Sequence, residues 1–359
     1  MKKIGIVTIF DNNNYGNRLQ NYAVQRTLDK KGYNCISIKN DVKMNNKNTS
    51  IIKSIVSKVK FYYRKNKRVI DNYKRYKYFS EFNKNINISK RYFSFYKLKD
   101  MKKYDYFIVG SDQVWNPYFG ELSDFDLLNF IDDSNKKISF SASFGISNIP
   151  KEYEKKTTKA LKSFKAISVR EEEGKKIVEN LTGRKDVEVL LDPTMLLTAE
   201  EWDKVSKKPK KLKFNKYILN YFLGELSEER KKEINKIAKE NGCEIINILD
   251  KNSPFYASGP SEFLYLEKNA FLVCTDSFHS CVFAIIYNRP FIVFDREEKT
   301  VNMSSRIETL LNKFQLQEQK FNGKIKEENL KHDYENAYRI LESEKIKADN
   351  FLTKALNIE

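Results

Sequence analysis

The sequence predicts an α/β protein of two doubly wound domains, and three observations carry that expectation. Short apolar runs alternate with amphipathic segments from residue 3, and the alternation restarts near residue 217. A chain of 359 residues, 40% apolar and 13% aromatic, is too long for one ordinary core and sufficient for two. The stretch Phe271–Phe294, FLVCTDSFHSCVFAIIYNRPFIVF, reads as strand, polar turn, helix and strand, with one of only two histidines at the turn. The boundaries expected are an N-terminal domain over 1–200, a C-terminal domain over 210–335, and a final helix over 336–359 packing back on the first domain. Ligand is expected in the cleft between the strand ends.

Ile4–Phe10 alternates like a buried first strand. It is only seven residues and lacks a small-residue cleavage site, so it reads as a strand and not as a signal peptide. A polar loop, Asp11–Asn17, leads into a helix over Arg18–Lys31 with Leu19, Tyr22, Ala23 and Leu28 on one face. Gly32 ends it and Tyr33–Ile38 forms the second strand, a βαβ opening that implies a parallel sheet. Further strands are expected at Tyr104–Val109, Lys137–Phe144, Ala166–Arg170 and Val187–Leu191. Three glutamates, Glu171–Glu173, suit the positive end of a helix dipole. The second half offers a strand at Tyr217–Leu223, a helix at Glu228–Asn241 and a strand at Cys243–Leu249. A short helix follows Ser258–Ser261. After the Phe271–Phe294 unit come helices from Ser304 to Phe314 and from Tyr334 to Leu356.

No apolar run reaches the roughly 20 residues that span a bilayer, so a cytoplasmic protein is expected. Cys35, Cys243, Cys274 and Cys281 are scattered in apolar surroundings, which reads as buried free thiols, with no metal site. The charge of +18 is concentrated: Lys43–Lys103 holds nineteen basic against three acidic residues, leaving the rest about +2. The segment reads either as a solvated insertion or, through its interleaved aromatics, as an interfacial surface for anionic lipid on the inner face of a membrane. No nucleic-acid motif accompanies it.

Side chains at the carboxyl ends of parallel strands are where such folds carry ligands. Asn14–Asn17 places Gly16 and Asn17 there; it is either an ordinary strand–helix turn or a close approach to a ligand. Asp112 and Gln113, after Gly110-Ser111, are suitable partners for sugar hydroxyls or a helix cap. Arg170 is either a fork for carboxylate or phosphate, or an ion-pair partner of the glutamates after it. Arg306 either binds an anion or caps its helix. His279 is a proton donor by position, or a structural histidine. His332 sits in a charged, surface-like context.

NYGNRLQNYAVQ (14–25), GSDQVWN (110–116), SFSASFG (139–145), SVRE (168–171), LLDPTMLL (190–197), SGPSEFL (258–264), TDSFHSCVFAIIYNRPF (275–291) and SSRIETLL (304–311) stand in one order. Together they resemble the polysaccharide pyruvyl transferase family. The resemblance implies two Rossmann-like halves arranged as in GT-B-type glycosyltransferases. It implies transfer of pyruvyl from phosphoenolpyruvate, a co-substrate, to a sugar in surface polysaccharide synthesis, with no cofactor. His279 falls on the family's catalytic histidine and Arg170 on a donor-contacting position. Ser277, Phe278, Ser280 and Arg306 complete the expected donor side, and Gly16, Asn17, Asp112 and Gln113 the acceptor side. The chain departs from the family at Ser277, where many members carry an arginine. Arg306 or Arg289 is the candidate to replace it. A glycosyltransferase using a nucleotide sugar and a non-catalytic membrane- or partner-binding protein are the rival readings.

Overall fold

A computed structural model describes residues 1–39, 67–93, 98–119, 122–296, 305–331 and 334–357. Residues 43–66 and 94–97 of the basic segment, together with Ser304 and His332, lie outside them. The chain is α/β. It divides into two compact units: 1–66, 83–196 and 344–359 form the first, and 67–82 with 197–343 the second.

The first unit is built on β1 (Lys3–Val7), α1 (Tyr15–Lys30) and β2 (Asn34–Lys39). Helix α2 (Lys67–Phe82) belongs to the second unit. The first unit continues with β3 (Ile88–Tyr92), α3 (Leu98–Met101), β4 (Tyr106–Val109), β5 (Lys137–Ala142), α4 (Lys151–Lys162), β6 (Ala166–Val169), α5 (Glu172–Thr182) and β7 (Glu188–Val189). Its seven strands are all parallel, in the order β3-β2-β1-β4-β5-β6-β7. The order reverses direction between β1 and β4, which is the switch point of a doubly wound sheet. Alternating side chains supply two cores. On β4, Tyr106 and Ile108 pack with Ile4, Ile6 and Phe140, whereas Phe107 and Val109 pack with Trp115, Phe144 and Leu161. Both faces are covered, so the strands read as unbroken apolar runs.

The second unit contains α6 (Ala199–Asp203), β8 (Tyr217–Tyr221), α7 (Glu228–Glu240), β9 (Glu244–Asn247), α8 (Pro260–Asn269), β10 (Leu272–Thr275), α9 (Phe278–Ile286), β11 (Phe291–Val293) and α10 (Ser305–Phe314). Its four strands are parallel, ordered β11-β10-β8-β9, with the switch point between β8 and β10. Ile218, Ile234, Ile237, Leu272, Cys274 and Ile292 form its core. Helix α11 (Glu335–Ala355) begins in the second unit and ends in the first.

Three elements differ from the sequence expectation. Helix α1 starts at Tyr15 rather than Arg18, because the Asn14 side chain accepts the Asn17 N–H at 3.1 Å and caps it there. Helix α9 starts at Phe278 rather than Cys281, so His279 lies inside its first turn. The described residues after Phe82 are more than an insertion: β3 is the edge strand beside β2. No described helix is long and apolar enough to cross a membrane. The four cysteines are free thiols; Cys35, Cys274 and Cys281 are buried and Cys243 is half-buried.

Candidate functional site

The first unit gathers its polar side chains at the carboxyl ends of β1, β4, β5 and β6, beside the switch point. Arg170, which follows β6, is buried, and its Nη1 pairs with Asp192 Oδ2 at 2.7 Å. Its Nη2 reaches Asp112 Oδ1 at 3.4 Å. Burial works against the guanidinium charge, but Asp192, Asp112 and Glu171 outweigh it and raise the Arg170 pKa. Glu171, the first of the glutamates after Arg170, does not lie on the surface. Glu171 instead turns inward, where its Oε1 accepts from Ser143 Oγ, Phe144 N and Gly145 N at 3.0, 2.8 and 3.1 Å.

Asp112 connects this cluster to the first helix. Its Oδ2 accepts Asn17 Nδ2 at 3.4 Å, and its backbone holds φ = 60°, a left-handed conformation that aspartate tolerates better than most residues. Asn17 Oδ1 accepts Arg18 Nη2 at 2.7 Å and Asp11 N at 2.9 Å. Arg18 stacks on the Phe10 ring at 4.1 Å and donates to the Ile9 carbonyl, pinning the loop between β1 and α1. Burial lowers its pKa to about 9 against the pull of Asp11 and Asp112, so it stays a cation at neutral pH. In the sequence Arg18 reads only as the start of an amphipathic helix, and nothing there marks it as buried. Gly16 is buried in the first turn of α1. Gln113 is buried, accepts Asn116 Nδ2 at 2.7 Å and packs on Gly145.

Serine hydroxyls complete the floor where the β5–β6 register shifts between Ser139 and Ala142. Ser139 Oγ donates to the Ser168 carbonyl at 2.6 Å, and Ser141 N donates to Ser168 Oγ at 3.0 Å. Ser111 Oγ bonds Asp192 Oδ2 at 2.9 Å. The first two bonds satisfy backbone groups that the broken ladder leaves over. Asn17, Asp112, Arg170 and Asp192 therefore form one connected network.

The second unit places a separate cluster at the ends of β8 and β10. Asp276, directly after β10, accepts Leu223 N at 2.7 Å and Gly224 N at 2.8 Å, and Arg296 Nε at 3.0 Å. It ties the loop after β8 to the turn that carries Ser277 and His279. In the sequence Asp276 is one residue of a polar run, and nothing there marks it out. Ser277 N donates to Thr275 Oγ1 at 3.0 Å, and Ser277 is the N-cap residue of α9 without a side-chain cap bond. His279 is buried in the first turn of α9, its ring edge-on to Phe278 with centroids 5.4 Å apart. Ser280 Oγ donates to Glu267 Oε1 on α8 at 2.5 Å. Arg306 is buried on the first turn of α10 and Arg289 is half-buried after α9. Thus Ser277, Phe278, His279 and Ser280 share one turn, and the helix N-terminus there favours negative charge.

A model of the polysaccharide pyruvyl transferase family matches residues 14–298. No curated protein matches the sequence. Among solved structures, a glycosyltransferase from Rickettsia africae ESF-5 is 14% identical, over 99% of this chain and 97% of that one, with a TM-score of 0.49. UDP-GlcNAc 2-epimerase from Neisseria meningitidis, bound to UDP-GlcNAc, is 12% identical over 98% of this chain and 100% of that one, with a TM-score of 0.48. The UDP-GlcNAc 2-epimerase of Methanocaldococcus jannaschii, in complex with UDP-GlcNAc and UDP, is 15% identical over 96% and 99%, with a TM-score of 0.43.

Proposed function

This chain belongs to the polysaccharide pyruvyl transferase family, and from that membership we propose that it moves the pyruvyl group of phosphoenolpyruvate onto a sugar of a surface polysaccharide, closing a cyclic ketal. The observation that carries the reading is His279, inside the family match and in the first turn of α9 at the end of β10. In this reading His279 gives its proton to the methylene carbon of the donor, leaving an oxocarbenium-like centre at the carbon that bears the phosphate. A sugar hydroxyl adds to that carbon and its proton returns to His279. The bond to the phosphate oxygen then breaks, a second hydroxyl closes the ketal, and its proton leaves with the phosphate. A positioned acid of this kind contributes roughly 10²–10⁴-fold.

The anionic donor calls for cations and helix N–H groups. Ser277 supplies no charge, so Arg306 takes the place of the family's arginine. Arg170 contributes its Nη2 end by exchanging the long 3.4 Å bond to Asp112, while the 2.7 Å bond to Asp192 keeps the guanidinium in place. Asn17, Asp112 and Gln113, beside Gly16, serve the acceptor hydroxyls. The acceptor is carried on a lipid, and α2 offers a face for an anionic bilayer: Tyr73, Lys74, Tyr76 and Lys77 are exposed on the side away from buried Asp71, Arg75, Phe79 and Phe82.

The experiment is phosphate release from phosphoenolpyruvate over a panel of lipid-linked sugars, with wild type and His279→Ala. Wild type turns over and His279→Ala retains its fold without turnover. Near-normal pyruvylation by the variant removes His279 from the mechanism. The missing arginine at Ser277 keeps one second reading in play, a glycosyltransferase using a nucleotide sugar. Turnover of nucleotide sugars without any of phosphoenolpyruvate establishes it instead.

A further inference from the structure

Glu267 lies on α8 with no exposed surface. Its Oε1 accepts the Ser280 hydroxyl, and its Oε2 meets no partner among the described residues. A carboxylate removed from water needs a cation or several donors to stay ionised. The groups packed near it offer neither. Cys281 of α9, Tyr287 directly after it and Tyr217 of β8 are themselves acids, each pushed up chiefly by burial and further by the Glu267 charge. On the other helices against α8, Asp203 of α6 pairs with Lys268, and Arg75 of α2 donates to the carbonyls of Tyr256 and Ser258. Burial therefore lifts the Glu267 pKa to about 8, against the opposing bond from Ser280, and the side chain is a neutral acid at pH 7.

Helix α9 needs such a partner. Ser277 gives it no side-chain cap, so its start is held by Ser277 N to Thr275 Oγ1, by Cys281 N to the Ser277 carbonyl at 3.2 Å, and by Ser280 to Glu267. Ser280 directly follows His279, so a hold on Ser280 is a hold on the backbone that aims the imidazole. We propose that Glu267, acting through Ser280, is a positioning residue for His279, and that loss of its proton releases the first turn of α9. An ionised Glu267 has too few donors in its pocket and must turn toward water or admit it, which breaks the bond to Ser280. The inference rests on the reading of His279 as the catalytic acid.

The test is a pH titration of the full chain, following the His279 imidazole signals by NMR and pyruvyl transfer in parallel. The signals of His332 are assigned by substitution. Wild type shows an inflection of the His279 signals at about 8, with turnover changing over the same range. Glu267→Gln, neutral at every pH, removes that inflection and keeps turnover at neutral pH within a few fold. Glu267→Ala shifts the His279 signals at neutral pH and lowers kcat roughly ten- to a hundredfold with little change in KM. Ser280→Ala breaks the same bond from the other side and carries the test if Glu267→Ala fails to fold. An inflection that survives in Glu267→Gln, or His279 signals unmoved in both alanine variants, overturns the proposal. Turnover by His279→Ala, with the inflection still tied to Glu267, removes the catalytic reading and supports the coupling.

Discussion

Arg170 and Asp192 make the most exacting test of the first-unit network. The Arg170 and Asp192 side chains are 1% and 0% exposed, and Nη1 stands 2.7 Å from Oδ2. Asp192 also receives Ser111 Oγ on Oδ2, and Thr194 N and Oγ1 on Oδ1, at 2.9, 3.0 and 2.7 Å. Removing one member of a buried pair costs about 3–5 kcal/mol, because the survivor keeps its desolvation without its partner. Arg170→Met leaves two carboxylates, Asp192 and Asp112, facing the vacated place, so it falls at the upper end of that range. Asp192→Asn leaves Arg170 with Asp112 and keeps the acceptor for Thr194, so it falls at the lower end. The double variant removes both charges of the pair and is less destabilised than the sum of the singles, with a coupling of about 1–3 kcal/mol. Urea unfolding measures it. The two tryptophans, Trp115 and Trp202, lie in different units, so a Trp202→Phe background confines the fluorescence to the first unit. A loss below about 1 kcal/mol for Asp192→Asn, or additive single variants, refutes the argument that this pair is strongly coupled.

Gly145 has φ = 64°, and a Cβ there would stand 2.2 Å from Gln113 Oε1, whereas Gly183 at φ = 76° has nothing within 4 Å. Gly145→Ala is expected to cost clearly more than the roughly 1 kcal/mol of Gly183→Ala, measured by urea unfolding. Asp276→Ala removes the acceptor of Leu223 N and Gly224 N, and hydrogen exchange at those two amides is expected to speed up while the strands stay protected. Glu267 is more protonated in the fold than in the unfolded chain between 4.5 and about 8, so its contribution is favourable below 4.5 and is lost as pH rises through that window. Glu267→Gln therefore flattens the fall in stability toward alkaline pH, by an amount on the order of 1.4 kcal/mol per pH unit within the window, read by thermal unfolding across pH. On α2, Tyr73→Ala/Tyr76→Ala and Lys74→Glu/Lys77→Glu are each expected to weaken flotation with vesicles containing phosphatidylglycerol, and unchanged flotation removes that face as a lipid surface.

The α/β class and most strands of each half were legible because buried parallel strands leave apolar runs and their helices leave a period near 3.6; which strand lies beside which was not. Helix starts were less legible, since they depend on single caps: Asn14 draws α1 back by a turn, and α9 begins among polar residues that are nevertheless buried. Strand β3, ISKRY, reads as a charged segment, and only its pairing with β2 makes it a strand. The positions of Arg170, Asp112 and Asn17 at strand ends could be read from the motifs. Their mutual bonds could not, because the partners lie 58 and 95 residues apart. Glu267 left no trace in the sequence. Beside Lys268 it looks like a surface helix residue, and its burial is set by the docking of α8 on α9 and β8.

The division of α11 between two units has a consequence for biosynthesis. Ala348, Phe351, Leu352, Ala355 and Leu356 close the core that Ile4, Ile6, Ile108 and Phe140 begin. On the ribosome, the face of the first sheet that they cover stays open while all of the second unit is translated. The second unit can bury its apolar strands as it emerges; the first must wait, with its sticky face available to chaperones, until residues 344–357 arrive.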